Sequence, residues 1–288
     1  MNTIKNKIKS INYYFLTVML LIVVLSLVLE VEANVTVNPT RLILEDGQRS
    51  AAIKLINPAD QTATYRISLI NLEMKETGDI EELETADSSE KRIESYFAQD
   101  LLRYSPRQVV LPPRQAQIVR VQLMLPPGLE AGEYRSHMLF QEIPTQPGQG
   151  NENQAETGIN IELRAIYGVS IPIIVRQGET WAELEITDLE LNKNTGSGTP
   201  ELSLTINRLG NQSEYGDIEV SFTDNSGEKT LIAAVRGTAI YTDVEKRDYK
   251  IGLRNTENLD LKDGILEVIY KKLSEEGGEI LARSELEL

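Results

Sequence analysis

From Ile159 to Val175 every second residue is apolar: Ile159, Ile161, Leu163, Ala165, Tyr167, Val169, Ile171, Ile173 and Val175. Successive side chains of a strand point to opposite faces, so this period of two describes one extended strand with one apolar face. Ordinary strands run to about five or six residues. A small domain cannot easily cover so long a stripe. Part of it is expected to serve another element, a second domain or another protein.

The rest of the chain also alternates with period two rather than 3.6. Strands are predicted at 35–44, 50–57, 62–74, 105–111, 116–125, 132–144 and 158–176. In 116–125, Val119, Val121, Leu123 and Leu125 face one way and Arg120, Gln122 and Met124 the other, as in an antiparallel sheet with one buried face. Turn chemistry separates the runs: Asp46-Gly47, Asn57-Pro58, Pro112-Pro113 and Pro126-Pro127-Gly128. This pattern predicts an immunoglobulin-like sandwich over residues 34–177. Two connections break it, an acidic stretch at 77–95 expected to be a solvated loop and a Gly- and Gln-rich stretch at 145–157 expected to be flexible. At Gln177-Gly178-Glu179 the long strand ends, and a second β series (181–191, 200–208, 216–224, 229–241, 247–254, 264–273 and 279–287) predicts a second sandwich over 178–288. The expected fold class is all-β, with two immunoglobulin-like sandwiches.

At the N-terminus, Lys5, Lys7 and Lys9 precede an apolar run from Tyr13 to Leu29, and Val31-Glu32-Ala33 follows it. This order reads as a signal peptide over 1–33, which would leave a mature chain outside the cytoplasm and not inserted in a membrane. The other reading is an uncleaved anchor, because the apolar run approaches the roughly 20 residues that span a bilayer. The formal net charge of −15 argues against nucleic acid, whose binders cluster Lys and Arg. There is no cysteine, so the fold must be held by core burial without disulfides.

Catalytic chemistry is hard to find. The chain has a single histidine, His137, on a predicted strand, where a structural role is expected. No cysteine set or His pair is present to bind zinc. Gly-x-Ser-x-Gly, phosphate-loop and dinucleotide fingerprints are all missing. A binding module is expected, without metal or cofactor, and not an enzyme.

The stretch VTVNPTRLILEDGQRSAAIKLINPADQTATYRISL resembles the first strands of the PapD-like periplasmic pilus chaperones. SPRQVVLPPRQAQIVRVQL, GEYRSHMLFQEIP and YGVSIPIIVR resemble later strands of the same first domain, in the same order. Residues 179–288 are similar only in their β character and position. The resemblance implies two immunoglobulin-like domains set at an angle around a cleft. It also implies a periplasmic, ATP-independent chaperone that lends its long strand to pilin-like subunits lacking their own last strand and delivers them to an outer-membrane usher. Strand addition of this kind takes affinity from main-chain hydrogen bonds and specificity from alternate side chains.

By the same resemblance, Arg41 in NPTRLIL matches the arginine that holds the subunit's terminal carboxylate, a task suited to a bidentate guanidinium. Its other reading is a surface strand residue. Ile159, Ile161, Leu163, Ala165 and Tyr167 match the residues that fill the subunit groove, while Val169 to Val175 are expected in the domain's own core. Glu142 in QEIP and Arg176 in IIVR match an interdomain pair expected to fix the angle. One departure stands out: the family's second, lysine anchor aligns near Pro172, and Arg164 or Arg135 is the available substitute. The competing reading is a membrane-anchored or secreted immunoglobulin-like protein with a structural or adhesive role.

Overall fold

The computed structural model describes residues 35–45, 47–83, 96–144, 166–193, 196, 198–254, 256 and 259–288. The first part holds β1 (Thr36–Asn38), β2 (Leu42–Leu44), β3 (Ser50–Ile56), β4 (Ala63–Ile70), β5 (Leu72–Met74) and β6 (Ile80–Glu82). It continues with β7 (Leu102–Ser105), β8 (Gln108–Leu111), β9 (Ala116–Leu123), β10 (Gly132–Glu142) and β11 (Gly168–Gln177). The second part holds β12 (Ala182–Asn192), β13 (Glu201–Gly210), β14 (Glu214–Thr223), β15 (Lys229–Ile240), β16 (Lys246–Gly252), β17 (Ile265–Lys272) and β18 (Ile280–Glu287). No helix among the described residues is long and apolar enough to cross a membrane.

Sheet β1-β3-β9-β7 packs on sheet β2-β11-β10-β4-β8 to form the first sandwich. Their inner faces are the apolar halves of the alternations: Ile53 and Leu55, Val119 and Val121, Met138 and Phe140, Ile171, Ile173 and Val175 are all buried together. Leu125 and Val169 pack on the edge of this cluster. The Asn57-Pro58 turn is tied down from inside, because the buried Asn57 amide donates to the carbonyls of Gln61 (2.7 Å) and Leu111 (2.9 Å). In the second sandwich, sheet β12-β13-β16 faces sheet β15-β14-β17-β18 across Leu202, Leu204, Ile206, Ile218, Val220, Leu266 and Val268. Between the two sandwiches the chain turns at Gly178, whose φ of +67° and 2.8 Å approach of an ideal Cβ to the Ala131 Cβ leave room only for glycine.

Three predicted strands are each two strands in different sheets. The run 35–44 divides at Pro39–Arg41 into β1 and β2, which belong to opposite sheets. The run 62–74 divides at Asn71, and 105–111 corresponds to the end of β7 followed by β8. Proline offers no N–H to a ladder, and both Pro39 and Pro106 fall where the chain changes sheet. The stretch 77–95 is not wholly a solvated loop. β5 and β6 form a hairpin, with Leu72 opposite Glu82 and Met74 opposite Ile80. Ile80, Glu81 and Glu82 are exposed, so their sequence carried no sign of alternation against a core. Of the long alternating run, β11 accounts for the part from Gly168 onward; Ile159, Ile161, Leu163 and Ala165 lie outside the described residues.

Candidate binding face between the domains

β11 is held unequally along its two edges. Against β10 it pairs antiparallel from Gly168 opposite Gln141 to Gln177 opposite Gly132. The ladder reaches one residue further, where the Glu142 N–H donates to the Tyr167 carbonyl at 3.0 Å. On its other edge β11 pairs with β2, in parallel, only at Ile173, Ile174 and Val175. Among the described residues, the β2-side edge from Gly168 to Pro172 therefore meets no strand. Pro172, which has no N–H to give, stands at the point where pairing with β2 begins. The stripe changes surroundings along this same stretch. Ile171 and Ile173 are in the core and Val169 packs against it, whereas Tyr167, of the same parity, is 48% exposed. The expectation that Val169 to Val175 belong to the domain's own core matches this packing at Val169, Ile171, Ile173 and Val175. Ile174 points the other way and is buried with the second domain's residues.

Arg41 sits in the turn between β1 and β2 and reaches the second domain. Its Nη2 lies 2.6 Å from Oε1 of Glu276, and its guanidinium carbon is 4.1 Å from the centre of the Tyr215 ring. The Arg41 side chain keeps 16% of its surface and Glu276 keeps 42%. This is a partly solvated ion pair over an aromatic face, where the ring quadrupole favours the cation.

Glu142 and Arg176 do not pair. In the antiparallel ladder Arg176 lies directly opposite Glu133, and Glu142 is at the far end beside Tyr65 of β4. Glu133 is the actual partner: its Oε2 accepts from Arg176 Nε at 3.1 Å and from the Ser213 N–H at 3.1 Å. Arg176 in turn donates from Nη2 to the Ser213 carbonyl at 3.2 Å and from Nη1 to Glu45 at 3.2 Å. Both side chains thus grip the backbone of a single residue of the second domain, Ser213. The sequence held a usable signal for this, since antiparallel pairing of 132–144 with 168–177 puts the start of one strand opposite the end of the other.

Arg135 is unsuited to serve as a second exposed anchor. It lies buried on the outer face of β10, ion-paired to Asp243, with its guanidinium 3.6 Å above the Tyr241 ring and Nη2 donating to the Leu72 carbonyl at 2.8 Å. Its Nε and Nη1 meet no acceptor among the described residues. Arg164 lies outside the described residues. His137, two positions along β10, is buried edge-on to Tyr241 at 6.2 Å between ring centres. Burial, reinforced by the neighbouring Arg135 charge, pushes its pKa down to about 3, so the ring is neutral at physiological pH. Its environment is structural, and among the described residues no group of acidic side chains or histidine is placed to hold a metal ion.

The β5–β6 hairpin covers this polar layer and reaches into the second domain. Met74 is buried in the second domain's cluster, as are Ile174 and, partly, Ile43. The Met74 N–H donates to Asp243 at 2.7 Å, and the Asp248 N–H donates to the Glu76 carbonyl at 2.8 Å. Gly78 lies against the Arg247 guanidinium, and its φ of +89° is one that favours glycine. Asp243, Tyr215, Tyr241, Ser213 and Glu276 are residues of this face that sequence reasoning missed. They come from loops and strand ends of the second domain, where no pattern marks them.

No protein-family profile matches the chain, and no curated protein matches it. Among solved structures it is similar to the YadV chaperone, with a TM-score of 0.45 and 11% identity over 89% of this chain and 100% of that one. It is also similar to a chain of the Salmonella enterica SafA pilin in complex with the SafB chaperone (TM-score 0.42, 13% identity, 88% and 96% covered). A third is a chain of a chaperone–tip adhesin complex of CFA/I fimbriae (TM-score 0.42, 14% identity, 83% and 91% covered).

Proposed function

We propose that the protein is a periplasmic chaperone for fibre subunits. In this reading the mature chain follows Ala33, with domains over 34–177 and 178–288, and lends the strand leading into β11 to a subunit that lacks its own last strand. The subunit is pilin-like, and an outer-membrane usher receives it without ATP. The observation that carries the reading is the β2-side edge of β11 from Gly168 to Pro172, which meets no strand among the described residues and continues the alternating run of Ile159, Ile161, Leu163, Ala165 and Tyr167. Unpaired N–H and C=O groups beside an apolar stripe are a template for another chain's strand. Arg41, on the turn into β2, supplies the cation for the subunit's terminal carboxylate.

Co-purification from the periplasm, with a candidate fibre subunit co-expressed, tests this. The expected result is a near-stoichiometric small β-rich protein that is lost in Leu163→Glu, while the variant's thermal unfolding stays that of the parent. A clean monomer beside an abundant subunit overturns the proposal in favour of an anchored or secreted structural protein.

A further inference from the structure

Arg41 already holds a carboxylate from its own chain. The turn between β17 and β18 fixes that carboxylate in place: the Glu276 N–H donates to the Leu273 carbonyl (2.9 Å), the Gly277 N–H to Ser274 (3.2 Å) and the Gly278 N–H to Leu273 (3.0 Å). Gly277 and Gly278, with φ of +97° and +64°, close the turn in the left-handed region. Lys272 and Glu279 pair at its base at 2.7 Å. Glu276 is thereby presented to Nη2 of Arg41 at 2.6 Å, while Tyr215 supports the guanidinium from one face.

We propose that Glu276 is an internal competitor for the Arg41 guanidinium and sets how selective the cleft is for chain ends. The inference rests on the reading of Arg41 as the anchor for a partner's terminal carboxylate. A guanidinium that exchanges one carboxylate for another gains little from the exchange itself. A free carboxylate with nothing attached therefore cannot displace Glu276. One tethered to a strand that pairs with β11 can, because main-chain hydrogen bonds and apolar side chains supply the difference. The half-exposed Glu276 makes this exchange accessible, since solvent screens the pair and keeps it weak. Arg135, whose partner Asp243 is buried with it, offers no such exchange.

Glu276→Gln tests the proposal, with a synthetic peptide of alternating apolar residues as probe, prepared with a free C-terminal carboxylate and as the C-terminal amide. Binding of both forms is measured by calorimetry to the parent, to Glu276→Gln and to the double variant that adds Arg41→Ala. The expected result is a rise on the order of threefold in the preference for the carboxylate form in Glu276→Gln, and no preference in the double variant. If Glu276→Gln leaves the preference unchanged while the double variant loses it, Arg41 is the anchor and Glu276 does not compete; the inference falls alone. If the two peptide forms bind alike in every protein, or neither binds, the anchor reading falls and takes the inference with it.

Discussion

Two kinds of ion pair lie where the domains meet, and burial separates their roles. Arg135–Asp243 leaves 3% and 12% of its side chains exposed and Glu133–Arg176 leaves 0% and 16%, whereas Glu276 of the Arg41 pair is 42% exposed. A buried pair is weak evidence for net stability, but losing one partner strands the other in a medium that cannot solvate it. A half-exposed pair has water as a ready substitute. The contrast separates the arginines on this face: Arg135 and Arg176 contact the second domain from the more buried pairs, and the exchange of partners proposed above falls to Arg41.

The largest effect should follow from breaking the most buried pair. Arg135→Ala leaves Asp243 without its cation beneath the β5–β6 hairpin and is expected to cost about 3–5 kcal/mol in denaturant unfolding. A loss below about 1 kcal/mol would place Arg135 in the exchangeable class with Arg41. A smaller effect is expected from His137, and it depends on pH. With its pKa held near 3, the folded protein stays unprotonated there while the unfolded chain takes up a proton below about 6.5. Stability from this residue is therefore lost as the pH falls from about 6.5 toward 3, by about 2 kcal/mol at pH 5. His137→Leu removes that dependence, so the stability difference between parent and variant should shift by this amount between pH 7 and pH 5. A difference that does not move with pH would mean that the ring is not shielded from protonation.

The smallest effect on stability belongs to Arg41→Ala, less than about 1 kcal/mol. Its consequence should instead appear in capture, as a larger loss of binding for subunits ending in a free carboxylate than for amidated ones. Equal losses for both would remove carboxylate recognition. A large fall in melting temperature would put Arg41 with the structural pairs and undo the comparison.

Much of the β architecture was legible because alternation is a local property. Which of Leu202, Thr205 and Ile206 points inward follows from parity alone, and Leu202 and Ile206 are buried. The breaks were harder. Pro39 lay inside a single predicted strand, 35–44, and nothing local showed that β1 and β2 join opposite sheets, since only pairing partners decide that. The β5–β6 hairpin was hidden because its second strand is acidic and exposed; what holds it is Met74 in another domain's core and Arg247 against Gly78. Glu142 was matched to Arg176 by motif, and register gave that partner to Glu133.

The amino-acid order by itself determined most of the β segments, the parity of the stripe and the reliance on core burial without disulfides, because each depends only on near neighbours or composition. The tertiary structure decided where β11 has no neighbouring strand, which carboxylate faces Arg176 and what Arg41 holds in the free chain. Those contacts join residues as far apart as Arg41 and Glu276, and only the folding of both sandwiches against each other brings them within hydrogen-bonding distance.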